Sequence, residues 1–290
     1  MVIIEQLVAK INSFLWDYTL IIFLCGTGLY LTIRLRFIQV KEFMYSITHA
    51  FTSASLKGEA ADEHGMSSFQ SLVTSIAGQV GTGNLAGTAT ALVSGGPGAI
   101  FWLWVSAFFG MATIFSEATL AQQFKRYKDG QIIGGPAYYI KAAFKGPFGK
   151  FLACLFAIFI ILALGFIGNM VQSNSISGAF ANAFPQINPL WIGIACALVA
   201  AFIFIGGIKR IASFAEKTVP IMALFYIIGS VIILIMNIKN LPSSIVLIFT
   251  SAFNPQAVIG GGLGIGVQQA MRYGVARGLF SNESGMGSTP

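Results

Sequence analysis

The sequence predicts an all-α polytopic membrane protein. Of its 290 residues, 56% are hydrophobic and only 9% are charged, against roughly 25% charged in an ordinary soluble domain. Its mean hydropathy is +0.78. Apolar runs of the length that crosses a bilayer core, about 20 residues, recur along the chain. This composition excludes water-soluble enzyme folds and intrinsic disorder. The 17 Lys and Arg outnumber the 10 Asp and Glu, for a net charge of +7. The cations sit in short segments between apolar runs, a pattern that orients a membrane protein rather than one that binds nucleic acid.

Seven spans are expected. The first is Phe14 to Ile33, closed by Arg34 and Arg36. Residues 37–56 follow as an amphipathic helix in the interface plane. There Phe37, Val40, Met44, Ile47 and Phe51 recur at spacings of three and four, with Lys41, Glu42 and His49 between them. Lys57 to Ser67 reads as a polar loop, and the second span runs from Phe69 to Val93. Gly95-Gly96-Pro97 turns the chain into the third span, Pro97 to Phe124. Lys125 to Lys150 is a basic loop containing Gly134-Gly135-Pro136. The fourth span, Phe151 to Phe184, is longer than a perpendicular helix needs, so a tilt or bend is expected near Gly165 or Gly168. After a turn between Pro185 and Pro189 come the fifth span, Leu190 to Ile208, and the sixth, Thr218 to Ile238. The seventh covers Ile248 to Tyr273, and Gly274 to Pro290 is a small, polar tail.

With the N-terminus outside, 15 of the 17 Lys and Arg fall in the inner segments, and only Lys10 and Lys239 lie outside. That asymmetry supports both the seven-span count and the direction.

Two spans are unfit to remain continuous helices. The second contains AGQVGTGNLAG, Ala77 to Gly87, and the seventh contains Gly260, Gly261, Gly262, Gly264 and Gly266. Each glycine inside a helix costs about 1 kcal/mol relative to alanine. A GxxxG spacing such as Gly83 with Gly87 can mean no more than close helix packing. A matched pair is different, because irregular backbone survives at membrane depth only where it lines a protein cavity. The second span rises from inside to outside and the seventh runs the opposite way. Interrupted helices at equivalent places in two inverted halves mark the binding site of a secondary transporter. Exposed amides at a half-helix N-terminus suit a carboxylate, and freed carbonyls suit a bare sodium ion.

The other polar residues are weighed against this. Gln172, Asn174 and Asn169 give the fourth span a polar face, and Glu117 lies about two turns from the inner end of the third. Such groups serve interhelical hydrogen bonding or snorkelling as readily as transport. Cys25, Cys154 and Cys196 lie singly in apolar runs, far from His49 and His64, so neither a metal centre nor a disulfide framework is expected. A membrane enzyme would need a nucleophile–base pair or a metal cluster, and no His or Cys is placed for one.

The segment GQVGTGNLAGTATALVSGGPGAIFWLWVSAFFGMATIFSEATLAQQF resembles the alanine or glycine:cation symporter family, as do GGPAYYI at Gly134 to Ile140 and RGLFSNESGMGSTP at Arg277 to Pro290. The resemblance implies a multi-pass carrier of the cell inner membrane. It would move a small neutral amino acid, alanine or glycine, by sodium symport, with no cofactor and with sodium as coupling ion. It also implies the leucine-transporter-type inverted-repeat fold. Residues 1–36 would be an extra N-terminal span, 37–68 the interfacial helix and loop, 69–238 the first five-helix repeat, and 239–290 the broken opening helix of a truncated second repeat. Gly81, Thr82, Gly83 and Asn84 would be the unwound first core helix that holds the substrate carboxylate, with Gly81 and Asn84 also touching sodium. Gln172 would look toward the substrate amino group, and Gly260, Gly261, Gly262 and Gly264 would form the second break. Gln79 and Asn174 are secondary candidates. Because family members continue beyond the last motif, a non-transporting remnant or an assembly subunit is the alternative, as is a carrier coupled to protons.

Overall fold

The computed structural model describes residues 2–51, 67–128, 131–253 and 266–288. It divides into two compact units. One holds Met1–Met44, Gly83–Ser116 and Gly229–Met286, and the other holds Tyr45–Thr82, Glu117–Ile228 and Gly287–Pro290. Among the described residues, three helices are long and apolar enough to cross a membrane: Gly98–Gln123, Pro147–Ala183 and Gly207–Met236. Ile21–Arg34, Pro189–Phe204 and Leu241–Phe253 are shorter apolar helices.

In the first unit the chain begins as α1 (Val2–Phe14). It passes through two π-helical turns, Leu15–Thr19 and Ile21–Cys25, into α2 (Gly26–Arg34). The expected first span is therefore the later part of a helix that starts twelve residues earlier. Arg36 and Phe37, both at φ 56°, end it in the left-handed region that L residues seldom enter. The Gln39 amide ties the turn down by donating to Thr32 Oγ1 at 2.9 Å and to the Phe108 carbonyl at 3.4 Å. In place of one amphipathic helix there are two, α3 (Ile38–Lys41) and α4 (Phe43–Phe51), parted at Glu42.

A π-helical turn, Gly83–Gly87, leads into α6 (Thr88–Gly95), numbered after α5 of the second unit. Gly96, at φ 72°, turns the chain into α7 (Gly98–Gln123). Later in the chain α13 (Leu241–Phe253) and α14 (Val267–Asn282) complete this unit. The core is made of small residues. Ala99, Ser106 and Ala112 of α7, Ala252 of α13 and Ala270 of α14 are all buried. A Cβ on Gly274 would strike the Ala99 carbonyl and lie 2.8 Å from Trp102 Cβ, and one on Gly278 would strike Ser106 Oγ. Glycine thus lets α14 approach α7 backbone to backbone, where dispersion rather than a hydrophobic driving force holds spanning helices together. The Trp102 indole donates to the Ala252 carbonyl at 3.2 Å, and Phe101 meets Phe249 and Phe253 edge-on at 5.5 and 5.0 Å.

The second unit opens with α5 (Ser68–Gln79). Its start is a capping box: the Gln70 amide N–H donates to Ser67 Oγ and the Ser67 N–H donates to Gln70 Oε1. Val73 of α5 packs with Ala215 and Val219, and Gln70 Nε2 donates to Glu216 Oε2 at 3.0 Å. The expected basic loop after α7 contains regular structure. There β1 (Arg126–Lys128) pairs antiparallel with β2 (Gln131–Ile133), and α8 (Pro136–Ala143) follows. The long fourth helix runs as α9 (Pro147–Ile160), a π-helical stretch Ile161–Gly168, and α10 (Asn169–Ala183). The irregularity contains both glycines at which a bend is expected. Asn188 caps α11 (Pro189–Phe204) by accepting from the Leu190 N–H, and α12 (Gly207–Met236) follows. The sixth span therefore starts eleven residues before Thr218, with Lys209, Arg210 and Lys217 inside the helix rather than in a loop. Only 6% of the most apolar part of Pro147–Ala183 or of Gly207–Met236 is buried against the described residues.

Candidate functional site

The second span is interrupted where its glycines predict. Helix α5 stops at Gln79, and Val80 turns extended at φ −98° and ψ 99° while its N–H still bonds the Ile76 carbonyl. At this break, in the second unit, two donors converge on one acceptor. The Thr82 N–H donates to Gln172 Oε1 at 3.3 Å, and the Thr82 hydroxyl donates to the same oxygen at 2.9 Å. Gly81 lies beneath the rest of that amide, where an added Cβ would be 2.8 Å from Gln172 Nε2. Gln172 is the fourth residue of α10 and follows the π-helical stretch. Because i→i+5 turns rotate the residues after them relative to an unbroken α-helix, that stretch sets the direction in which Gln172 points.

Beyond the break, in the first unit, Gly83 and Asn84 open the π-helical turn. The Ser281 hydroxyl donates to Asn84 Oδ1, and a Cβ on Gly83 would lie 3.3 Å from Ser281 Oγ. Ser281 is in the last turn of α14 and only 9% exposed. Just after it the chain leaves the helix through Glu283 and Gly285, at φ 54° and 83°.

The predicted residues therefore have distinct fates. Gly81, Thr82 and Gln172 come together, and Gly83 and Asn84 meet Ser281. Gln79 is the last residue of α5, half-buried beside the break. Asn174 is exposed two residues beyond Gln172, a spacing that puts it on another face of α10. Gly260, Gly261, Gly262 and Gly264 lie outside the described residues. Ser281 is the residue that sequence reasoning missed. Its stretch, RGLFSNESGMGSTP, stands in the sequence as a polar tail and a family motif, and the signal for Ser281 is a serine shortly before a glycine-rich exit.

Chemically, the first cluster offers an amide N–H and a hydroxyl aimed at a single oxygen position, which is how an anion's oxygen is held. The second sets an amide oxygen beside a hydroxyl oxygen next to a π-helical turn, oxygen donors of the kind that suit a hard cation. Glu117 is not part of either cluster. Its Oε2 is buried with no hydrogen-bond partner among the described residues. Burial, and then the Glu117 charge, push the Tyr139 phenol of α8 up to about 12. Among the described residues no group of three His, Cys, Asp or Glu could hold a metal ion.

Long apolar helices, beside a shorter helix that breaks at Gly81 and Thr82, fit a membrane transporter. Comparison with known proteins gives the particular kind: the chain belongs to the sodium:alanine symporter family, whose model matches residues 1–290. This is a family of symporters, not of enzymes. An uncharacterized transporter of Haemophilus influenzae is 45% identical over 99% of the chain, which covers 61% of that protein. A sodium/alanine symporter of Methanococcus maripaludis is 44% identical over 98% of the chain and is covered to 62%. A protein of Bacillus subtilis named "probable sodium/glutamine symporter" is 42% identical over 99% of the chain and is covered to 58%. The chain thus spans about three-fifths of the length of these relatives.

Proposed function

We propose that this chain belongs to the machinery by which a small neutral amino acid, alanine or glycine, crosses the cell inner membrane together with sodium. The observation that carries the reading is the convergence of both Thr82 donors on Gln172 Oε1 at a helix break. A substrate carboxylate oxygen takes the place of that amide oxygen, and the displaced Gln172 amide turns toward the substrate ammonium. Asn84 Oδ1, with the Gly81 carbonyl, serves sodium. Residues 69–238 then act as the first five-helix repeat of a leucine-transporter-type fold, 239–290 open the inverted second repeat, and the N-terminus faces outward.

The absence of any carboxylate from the sequence Gln79 to Asn84 favours a neutral-donor sodium site over a proton relay. Inward movement of a cation also draws on the membrane potential, worth about 2.3 kcal/mol per charge per 100 mV. Equilibrium binding of labelled alanine to the purified protein, in sodium or in choline, tests the reading. Sodium should strengthen alanine binding, and Thr82→Val should weaken it roughly two- to tenfold, the worth of a hydrogen bond. Glycine should compete, and glutamine should compete poorly. Binding that ignores sodium would remove the coupling. Glutamine competing better than alanine would overturn the substrate class.

A further inference from the structure

The corner between α8 and α9 presents a feature that the transport reading leaves unused. Helix α8 ends at Ala143, and Gly146, at φ 86°, turns the chain into Pro147 at the start of α9. Gly149 is buried directly against the Phe144 carbonyl, so the corner is folded tightly. This brings the Phe144 and Phe148 rings together edge-on, with centroids 5.8 Å apart. Both rings nonetheless stay half exposed, at 50% and 59%. Lys141, Lys145 and Lys150, all exposed, flank them in sequence within ten residues. In the same unit Lys125 and Arg126 are exposed at the start of β1. In the sequence, Asp129 is the one acidic residue between Glu117 and Glu216. An exposed aromatic pair flanked by lysines, at the end of a spanning helix, matches the boundary between acyl chains and phosphate: rings at the chain ends, ammonium groups at the headgroups.

We infer that this corner is a binding surface for anionic phospholipid headgroups, with Phe144 and Phe148 inserted as a wedge and Lys141, Lys145 and Lys150 holding the phosphates. The charge complementarity commits the surface to lipid, because free phosphate would have no use for the rings. Each lysine near an anionic surface is worth roughly a fivefold change in affinity at low salt, and the effect fades as the Debye length shrinks. The inference is independent of which solute the protein moves.

The experiment is native mass spectrometry of the detergent-solubilised protein titrated with dioctanoyl phosphatidylglycerol or dioctanoyl phosphatidylcholine. Retention of the glycerol lipid over the choline lipid, lost on raising the salt, is expected. The K141Q/K145Q/K150Q variant should lose at least tenfold in that preference, and F144S/F148S should weaken both lipids. Equal retention of the two lipids, or a triple variant that keeps its preference, would overturn the inference. So would inorganic phosphate that displaces the glycerol lipid while the phenylalanine variant behaves as wild type, which would mark a plain anion site. The salt titration needs only the unsubstituted protein, so the inference stays falsifiable if a variant does not fold.

Discussion

Ser281 shows how a single hydroxyl can be tested apart from the site it serves. Its hydrogen bond holds Asn84 Oδ1 in one orientation. If Asn84 serves sodium, Ser281→Ala should raise the half-saturating sodium concentration roughly two- to tenfold, with alanine affinity at saturating sodium little changed. Ser281→Thr, which keeps the hydroxyl, should restore it. Sodium titrations of alanine binding measure this split, and an equal loss of both affinities would show that Ser281 only supports the fold. At this scale the site was half legible. The glycines at 81 and 83 and the polar pair Thr82 and Asn84 stand together in one short string, so their break is visible in the sequence. Gln172 is 90 residues from Thr82 and Ser281 is 197 from Asn84. Partners that far apart are set by packing, which local spacing does not encode: Gln172 stands out in the sequence only as part of a polar face, and its place opposite the broken helix comes from the family resemblance.

Among the elements, apolar helices were read well where hydropathy and helix end together. Helix α7 was expected over residues 97–124 and occupies Gly98–Gln123, because a Gly-Gly-Pro turn marks one end and a basic run the other. The reading failed where a helix outruns the bilayer. Helix α12 continues back to Gly207 through three cations, since hydropathy senses lipid depth and charged side chains do not stop a helix. Pro220 inside α12 removes one donor and leaves the Glu216 carbonyl without its usual partner. Helix α14 is only half legible, for the opposite reason: residues 267–273 fall in the expected seventh span, while Gly274 to Asn282 read as a polar tail. Its sequence, VQQAMRYGVARGLFSN, is too polar and glycine-rich to resemble a span, and its stability comes from close contact with α6 and α7. That contact is directly testable. Gly274→Ala would force a methyl into the Ala99 carbonyl, and an overpacked core typically loses roughly 1–3 kcal/mol. Thermal unfolding in detergent, followed by tryptophan fluorescence, should show a lower midpoint. A substitution at Gly229, which has open space around it, should not have this effect.

For the whole molecule, composition was decisive for class and silent on assembly. With only 9% charged residues, the chain has too few charges for a water-facing surface, and the extensive outward apolar area of α9 to α12 agrees. Orientation rests on where the cations fall, which makes it open to labelling. In intact cells a K239C variant should react with an impermeant maleimide added outside, and a K145C variant should react only after permeabilisation. The reverse pattern would invert the topology and with it the direction assigned to the interrupted helix.

The bare backbone at Gly81 has a consequence beyond this chain. The fit between position 81 and the carboxamide at position 172 is a lock whose depth is one missing methyl group. With alanine at 81, the added methyl would meet Gln172 Nε2 at 2.8 Å, so the carboxamide swings aside from the Thr82 donors or the side chain shortens to asparagine. The two positions should therefore drift as a pair through descent, and a Gly81→Ala protein should regain its grip on alanine when Gln172→Asn is added.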